Sequence, residues 1–451
     1  MQLFHFALRG WVAPADVFIQ LFGTDSAAFW LDREHHATQR FSVVGHSQHG
    51  KVFQPAQAFE LLKERSNWGI SPDLDPADLP FAFRPGFVGW LNYPELPTID
   101  DIPTGSLLDV REAIVFDHDA KRLHFLGYFA SRERFEHWLN AVFLRLALCG
   151  GEQASYKFRN QPRSAAKPVS IRHNESQYLT LIERSQQAIR RGDVYQLCLT
   201  NELTFSHEAD PLEVFLRLRQ ANAAPYASYV RVGEQTLVCS SPEHFLSLDT
   251  AGTVTTKPIK GTRPRSNDSQ LDAELALELK NNQKERAENL MIVDLMRNDL
   301  GRVSEPESVH VPALFQVESY ATVHQLVSTV QSKLRPDASM PQLIAAVFPG
   351  GSMTGAPKLR AQELIREFEG SPRGIYSGAV GYFAADGSLE LGMTIRSLVF
   401  DGDRVTLSVG GGITIDSDPQ AELEETKIKA KALLAVLGSP DPWSSFGNLE
   451  D

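Results

Sequence analysis

The sequence predicts an α+β protein built around large, mostly antiparallel β-sheets. Strand-like runs rich in β-branched and aromatic residues recur along the chain, at residues 194–205, 226–232, 235–240 and 405–409. Long helical patterns lie between them, at about residues 270–299 and 357–368. Because strands and helices do not alternate strictly, a doubly wound parallel sheet is disfavoured.

The patterning divides the chain into four parts. Residues 1–150 mix short strands, such as 41–45 and 123–127, with helices such as 132–148. A polar stretch at 151–174 indicates a linker, and the tail at 438–451 is expected to be loose. The region 175–437 carries the densest patterning. It opens with a helix whose apolar face ends before Gly192, a suitable helix stop.

Bulk composition excludes several classes of protein. A hydrophobic fraction of 42% in 451 residues indicates a substantial core, and a net charge of −12 argues against nucleic acid or an anionic membrane as the main partner. Cys149, Cys198 and Cys239 form no CxxC pair, which gives neither a disulfide framework nor a zinc signature. No signal peptide and no 18-residue apolar stretch is evident. We therefore expect a soluble cytoplasmic protein.

Two helical segments carry carboxylates at positions that suggest a metal. Glu288 shares a helical face with apolar residues and with Asp299, which predicts either a buried ion pair with an arginine or a metal ligand. Glu422 and Glu425 are three residues apart, with Lys429 one turn further, a pattern that also fits a solvated helix surface. Together the two helices can offer oxygens to a Mg²⁺ that keeps its waters and binds an anionic ligand.

Glycine-rich segments predict backbone that faces an anion. Residues 349–358, PGGSMTGAPK, lead into a helix start, where amides favour a carboxylate or phosphate, although Ala356 stands where a Walker A loop requires lysine. The run 410–413 follows a strand and predicts either close approach to a ligand or a tight turn. Arg396 ends a strand-like run and can bind a carboxylate through two hydrogen bonds, unless it is an ordinary surface arginine.

Lys260, in KPIKGT, is the most informative single residue. A lysine held near other cations or in a dry pocket can lose its proton and act as a nucleophile, whereas most lysines are solvated and inert. Glu243 can donate a proton if its surroundings raise its pKa. His324 is a candidate of the same kind, or simply a satisfied, half-buried histidine.

The chain resembles the chorismate-utilising family of anthranilate, aminodeoxychorismate, isochorismate and salicylate synthases. The runs that carry the resemblance lie in the family's order within residues 175–437: GDVYQLCLTNE, SSPEHF, KPIKGT, KERAENLMIVDLMRNDLGRV, VHQLVST, FPGGSMTGAPK, SGAVGY, TIRS, GGGI and AELEET. The resemblance implies a β-sandwich core with helices packed outside. Residues 1–150 resemble the family's N-terminal partner domain, which we expect to face an amidotransferase. The stretch 31–35 lacks a serine found in tryptophan-binding members, so tryptophan binding is not expected.

Two positions separate the members of this family. Members that make isochorismate or salicylate resemble one another in carrying a water-activating lysine where this chain has Gln196. Anthranilate synthases typically carry alanine at the position of Lys260, whereas enterobacterial aminodeoxychorismate synthases carry lysine. Cys198 departs from the asparagine of some members. The resemblance therefore implies an aminodeoxychorismate synthase. Anthranilate synthase, isochorismate or salicylate synthase and a non-catalytic subunit of the same fold are the alternatives.

The resemblance also implies a role for each candidate residue. Lys260 would attack ring carbon 2 while Glu243 protonates the leaving 4-hydroxyl, and His324 would assist the leaving hydroxyl or position the ring. Ammonia from a separate glutamine amidotransferase subunit would then add at carbon 4, on the route to 4-aminobenzoate and folate. The implied Mg²⁺ ligands are Glu288, Glu422 and Glu425. The implied substrate-binding residues are Arg396, Lys429, Gly351, Thr354, Gly355, Tyr376, Gly410, Gly411, Gly412 and Gln196.

Overall fold

The computed structural model describes residues 1–75, 79–147, 165–320, 323–439 and 442–443. Three sequence predictions therefore lie wholly or partly outside the described residues: Cys149, the first part of the predicted linker and most of the predicted tail. Among the described helices, none is long and apolar enough to cross a membrane. Cys198 and Cys239 are buried free thiols.

The described strands form two sheets in which all but one pairing is antiparallel. The exception is the parallel contact between β1 and β5 in the first sheet. That sheet has thirteen strands: β1 Gln2–Arg9, β2 Ala27–Asp32, β3 Phe41–His46, β5 Gly69–Ile70, β8 Glu112–Asp117, β9 Arg122–Phe129, β10 Lys167–Ile171, β11 Gln196–Ser206, β12 Tyr226–Val232, β13 Gln235–Ser241, β19 Gly355–Ala356, β22 Ser397–Asp401 and β23 Arg404–Ile413. The second has ten: β4 Val52–Phe53, β6 Gly86–Leu91, β7 Gly105–Asp109, β14 His244–Leu248, β15 Thr253–Thr256, β16 Ile259–Pro264, β17 His310–Ser319, β18 Val323–Lys333, β20 Ala379–Ala384 and β21 Leu389–Met393.

Ten α-helices are described: α1 Pro14–Phe22, α2 Pro55–Arg65, α3 Arg132–Ala147, α4 Glu175–Arg190, α5 Pro211–Ala221, α6 Ser269–Asn281, α7 Gln283–Gly301, α8 Met340–Val347, α9 Lys358–Glu369 and α10 Pro419–Leu437. One apolar cluster, which includes Phe29, Trp90 and Val115, lies between the two sheets. Two others join the outer faces of the sheets to helices. The predicted α+β sandwich with helices outside is confirmed.

Both sheets combine strands from the two halves of the chain. In the first sheet β2 pairs with β12, and in the second β6 pairs with β20. The division at residues 151–174 thus separates the chain but not the sheets. The last part of that predicted linker is β10, whose backbone pairs with β11.

Two local predictions differ from the structure. The single helix predicted at about 270–299 is two helices, because Asn282 ends α6 and its side chain accepts a hydrogen bond from the Glu285 amide at the start of α7. The glycines 410–412 do not follow a strand in a turn; they lie inside β23, where Gly410 pairs with Thr200 of β11. A Cβ atom at Gly410 would lie 2.1 Å from the Leu199 carbonyl oxygen, so glycine lets the strands approach closely.

Two of the places where the chain passes from one sheet to the other are neighbours. Residues 242–243 connect β13 to β14, and residues 394–396 connect β21 to β22. Backbone hydrogen bonds tie the crossings together, since the Met393 amide donates to the Glu243 carbonyl and the Ser240 amide donates to the Arg396 carbonyl. Two predicted site residues, Glu243 and Arg396, are thereby brought to the same seam between the sheets.

Candidate active site

Gly412 leaves the space in which two predicted site residues meet. A Cβ atom at this position would lie 2.5 Å from Gln196 Nε2 and 3.1 Å from Lys260 Nζ. Gln196 belongs to the first sheet and Lys260 to the second, so side chains from both sheets converge at the C-terminal end of β23. The Gln196 amide is fully buried, yet neither its nitrogen nor its oxygen has a hydrogen-bond partner. Such a group is costly to leave unpaired and is suited to receive a polar ligand.

Lys260 is oriented by a bulge in β16. The register with β18 shifts between Lys260 and Thr262, and Gly261 between them adopts a left-handed φ of 78°. The Lys260 side chain is 14% exposed, and its Nζ lies 3.7 Å from Glu288 Oε2 on α7. The side-chain amide of Asn289, on α7, donates to the Pro258 carbonyl and further fixes the start of the strand against the helix. The predicted nucleophile thus faces the acidic helix rather than bulk solvent.

Glu243 is a buried carboxyl on the same side of the molecule. Burial raises its pKa to about 7, an effect opposed by a hydrogen bond with the Ser352 side chain and by the positive charge of Lys260. A carboxyl with this pKa is protonated in a large fraction of molecules near neutral pH and can donate that proton. Ser352 was not singled out from the sequence, although it lies within the glycine-rich run between Gly351 and Met353.

Glu288 and Glu422 face one another across a lysine. Lys284 Nζ lies 3.9 Å from Glu288 Oε1 and 3.6 Å from Glu422 Oε1, so the charged amino group of this lysine occupies the space between α7 and α10. Burial raises the pKa of Glu288, against the opposing charges of Lys260 and Lys284. Glu422 is further oriented by the Ser417 hydroxyl, which donates to it over 2.8 Å. Lys284 is four residues before Glu288, a spacing from which its proximity was predictable.

The third predicted carboxylate has a different partner. Glu425 Oε1 lies 2.7 Å from Lys429 Nζ, which also donates to the Gly410 carbonyl over 2.9 Å. In the part of the chain that the structure describes, no group of three or more histidine, cysteine, aspartate or glutamate side chains is already gathered for a metal ion. The acidic pair Glu288 and Glu422 is nevertheless compatible with Mg²⁺, which commonly takes one or two protein carboxylates and completes its shell with water and ligand oxygens.

The glycine-rich run of residues 349–357 forms another wall through close packing. A Cβ atom at Gly351 would lie 2.8 Å from Leu295 Cδ2 on α7, and one at Gly355 would lie 2.1 Å from the Gln196 carbonyl oxygen. The Thr354 hydroxyl is buried and donates within its own turn, to the carbonyls of Gly350 and Gly351. These residues therefore bring α7 and β11 together.

Arg396 and Tyr376 lie beside this wall. Arg396 has a left-handed φ of 53°, and burial lowers the pKa of its guanidinium, although Tyr376 and Glu425 oppose the effect. Burial raises the pKa of Tyr376, and the Arg396 charge is among those that oppose the change. In the described part of the chain no carboxylate forms a bidentate pair with Arg396, and a mostly buried guanidinium of this kind is suited to an anionic ligand.

His324 is engaged elsewhere. Its Nδ1 lies 2.8 Å from the Ser319 hydroxyl and its Nε2 lies 2.9 Å from Asp272 Oδ1, so both ring nitrogens have partners. Its place in the catalytic set stays a prediction. Asp299, which shares the apolar face of α7, forms a buried ion pair of 2.5 Å with Lys358 rather than with an arginine.

Comparison with known proteins identifies the family. Residues 25–435 match the family described as chorismate binding enzyme. The chain is 42% identical to an aminodeoxychorismate synthase of Streptomyces griseus, over 94% of this chain and 63% of that protein, so it spans less than two thirds of that relative. It is 36% identical to aminodeoxychorismate synthase component 1 of Salmonella typhimurium, over 81% of this chain and 79% of that protein.

A solved structure has the same fold. Anthranilate synthase component I from Streptococcus pneumoniae superposes with a TM-score of 0.71 at 27% identity, covering 96% of this chain and 92% of that one. Sequence and structural matches thus extend across both sheets. The chain belongs to the chorismate binding enzyme family.

Proposed function

We propose that this protein is an aminodeoxychorismate synthase, which converts chorismate and ammonia into 4-amino-4-deoxychorismate. The observation that carries the proposal is the meeting of Lys260 and Gln196 at Gly412. Glu243, a carboxyl whose pKa is raised by burial, lies at the adjoining seam. The names of the two relatives from Streptomyces griseus and Salmonella typhimurium support the same reaction.

The substrate carries two carboxylates, and the site offers charges to receive them. Arg396 supplies a guanidinium that forms no ion pair with a carboxylate among the described residues, and Lys429 supplies an ammonium beside the glycine strand. The amide of Gln196 is free to hydrogen-bond a polar group of the ring. Because these groups are fixed before substrate arrives, they stabilise developing charge without reorganisation.

The reaction follows in two displacement steps. Lys260 Nζ, without its extra proton, bonds to ring carbon 2; the ring double bonds shift, the bond from carbon 4 to its hydroxyl breaks, and Glu243 gives that hydroxyl the proton with which it leaves as water. Ammonia then bonds to carbon 4, the double bonds shift back, and the bond between carbon 2 and Lys260 breaks. The lysine is regenerated as a neutral amine. The nitrogen that has bonded to carbon 4 carries an extra proton, which it gives to Glu243.

Glu288 and Glu422 are the residues that would hold Mg²⁺, with Glu425 within the same acidic surface. The bound ion would supply positive charge for a substrate carboxylate. Lys284 would then have to leave the space between the two glutamates, which its 53% exposed side chain permits.

We also infer that a glutamine amidotransferase subunit supplies the ammonia. The relative from Salmonella typhimurium is named component 1, which is consistent with a second component. That residues 1–150 face this subunit stays a prediction.

The direct test is identification of the product. The purified chain, with chorismate, Mg²⁺ and an ammonium salt, should form 4-amino-4-deoxychorismate, detected after lyase conversion to 4-aminobenzoate. Accumulation of anthranilate instead would reject the assignment and favour the anthranilate synthase alternative.

A matched pair of lysine variants tests the nucleophile. With chorismate present and ammonia omitted, intact-protein mass spectrometry should find a substrate-dependent adduct on the wild type and none on Lys260→Ala. Lys257→Ala is the control, because Lys257 belongs to the same KPIKGT segment but pairs with Glu318 over 3.1 Å. An adduct that survives in Lys260→Ala would place the covalent bond on another residue.

A further inference from the structure

Arg373 is a buried arginine that contacts several elements at once. It lies between α9 and β20, and its side chain is 1% exposed. Its Nε and Nη2 donate to the two carboxylate oxygens of Glu369, over 2.9 and 2.6 Å. Two further donors reach backbone, since Nη2 donates to the Cys198 carbonyl and Nη1 to the Met353 carbonyl, each over 2.7 Å. Nη1 also donates to the Ser377 hydroxyl over 3.3 Å.

The two carbonyls belong to two adjoining walls of the candidate active site. Cys198 lies on β11, two residues after Gln196 and therefore on the same face of the strand. Met353 directly follows Ser352, whose side chain hydrogen-bonds Glu243. A planar guanidinium that bonds both carbonyls thus connects the Gln196 wall to the segment that holds the proton donor.

Further hydrogen bonds make this connection rigid. The Cys198 amide donates to the Thr354 carbonyl over 2.7 Å, so the walls are also joined directly, beside the arginine. Glu369 accepts from both the amide and the hydroxyl of Thr200, over 2.8 and 2.9 Å. Glu369 is therefore fixed to β11 independently of Arg373.

A buried ion pair can also do no more than hold a fold together, and the chain contains a pair of that kind for comparison. Arg65 Nη2 lies 2.8 Å from Asp109 Oδ1, and both side chains are 6% exposed. Arg65 also donates to the Gly86 carbonyl and lies over the Phe87 ring, just as Arg373 lies over the ring of Tyr93. The Arg65 pair, however, joins no segment of the candidate active site.

We infer that Arg373, anchored by Glu369, is a positioning residue of the proposed reaction, which fixes the separation between the Gln196 strand and the Ser352 segment. The inference rests on the proposed function. It predicts that loss of the guanidinium lets the two walls separate, which misplaces Glu243 relative to Lys260 and admits water to the carboxyl.

The test compares Arg373→Lys with Arg65→Lys in the full-length chain, following chorismate consumption with Mg²⁺ and ammonium. Lysine keeps the charge but cannot bond both carbonyls and both carboxylate oxygens in one plane. For Arg373→Lys we expect kcat to fall at least tenfold, a loss on the scale of a modest misplacement of reacting groups. Its alkaline pH limit should also move to lower pH, because water around Glu243 favours the charged carboxylate. Arg65→Lys should lower the melting temperature while leaving kcat and the pH limit unchanged.

A second variant keeps the inference testable if Arg373→Lys does not fold. Glu369→Gln is nearly isosteric and removes one carboxylate acceptor from the guanidinium, so the same shift of the pH limit is expected with a smaller loss of kcat. Folded variants at both positions with wild-type kcat and pH profile would overturn the inference alone. A wild type that consumes no chorismate would overturn the proposed function and the inference with it.

Discussion

Replacement of Gly412 by alanine should disable the site while leaving the fold intact. The added methyl group would lie 2.5 Å from Gln196 Nε2 and 3.1 Å from Lys260 Nζ, and both of these atoms are the far ends of flexible side chains. For ordinary contact at 3.4 Å, the Gln196 amide has to retreat by about 0.9 Å and the Lys260 amine by about 0.3 Å. The three atoms nearest to the added methyl group all belong to side chains.

The magnitude of each effect follows from these displacements. A misplacement of about 1 Å at reacting groups costs roughly 100-fold in rate, so we expect kcat of Gly412→Ala to fall by about two orders of magnitude. Its unfolding free energy should change by less than about 1 kcal/mol, because only side-chain ends move. Gly410→Ala should behave in the opposite way. Its methyl group would meet the Leu199 backbone oxygen at 2.1 Å, and forcing the strands apart should cost about 3 kcal/mol.

The assay pairs urea unfolding with steady-state chorismate consumption for three variants. Gly301→Ala is the neutral control, because nothing lies within 4 Å of its added methyl group. Gly412→Ala should lose activity alone, Gly410→Ala should lose stability, and Gly301→Ala should lose neither. A Gly412→Ala variant with wild-type kcat would refute the conclusion that Lys260 and Gln196 act from the positions described.

Three further predictions concern charged side chains. Because burial raises the pKa of Glu243 from 4.5 to about 7, the contribution of this carboxyl to stability should be fully present below pH 4.5 and should be lost, by on the order of 3 kcal/mol, as pH rises through 7. Urea unfolding at several pH values should show this slope in the wild type and not in Glu243→Gln. Activity that needs the protonated acid should fall above about pH 7. Lys358→Met should cost about 3–5 kcal/mol by leaving Asp299 unpaired, and the double variant with Asp299→Leu should recover most of it in the same measurement. Lys284→Met should lower the Mg²⁺ concentration needed for half-maximal activity several-fold, since it removes the ammonium between two glutamates; an unchanged Mg²⁺ dependence would place the ion elsewhere.

Strand and helix positions were largely predictable because they depend on local pattern. The run of β-branched and aromatic residues at 226–232 is β12, Tyr226–Val232, as predicted. The break at Asn282 was missed, since a residue that ends one helix and caps the next leaves helical periodicity on both sides. The glycines of β23 were misplaced because a glycine run indicates a turn unless a neighbouring strand is known to require close approach.

Partners far apart in sequence could not be predicted from local pattern. For a carboxylate on the apolar face of α7 the sequence left open an ion pair with an arginine or a metal, yet the cation that reaches Asp299 is Lys358, at the start of α9. Lys284 stands between two predicted metal ligands because α7 and α10 meet there, and only its distance from Glu288 was readable from spacing. Arg373 was not singled out in the sequence, because two of its partners are backbone carbonyls, which leave no trace in residue identity.

The sequence by itself determined the α+β class and, through ten short runs and the residues at 196 and 260, the family and the chemistry to be expected, since these depend on residue type and local order. Only the tertiary structure decided which groups meet. Lys260 faces Glu288, and the pKa of Glu243 is raised, because the chain crosses between the two sheets at a seam where these side chains are buried or nearly so. Burial and distance, which set a carboxyl's pKa and a lysine's reach, are properties of the packed chain.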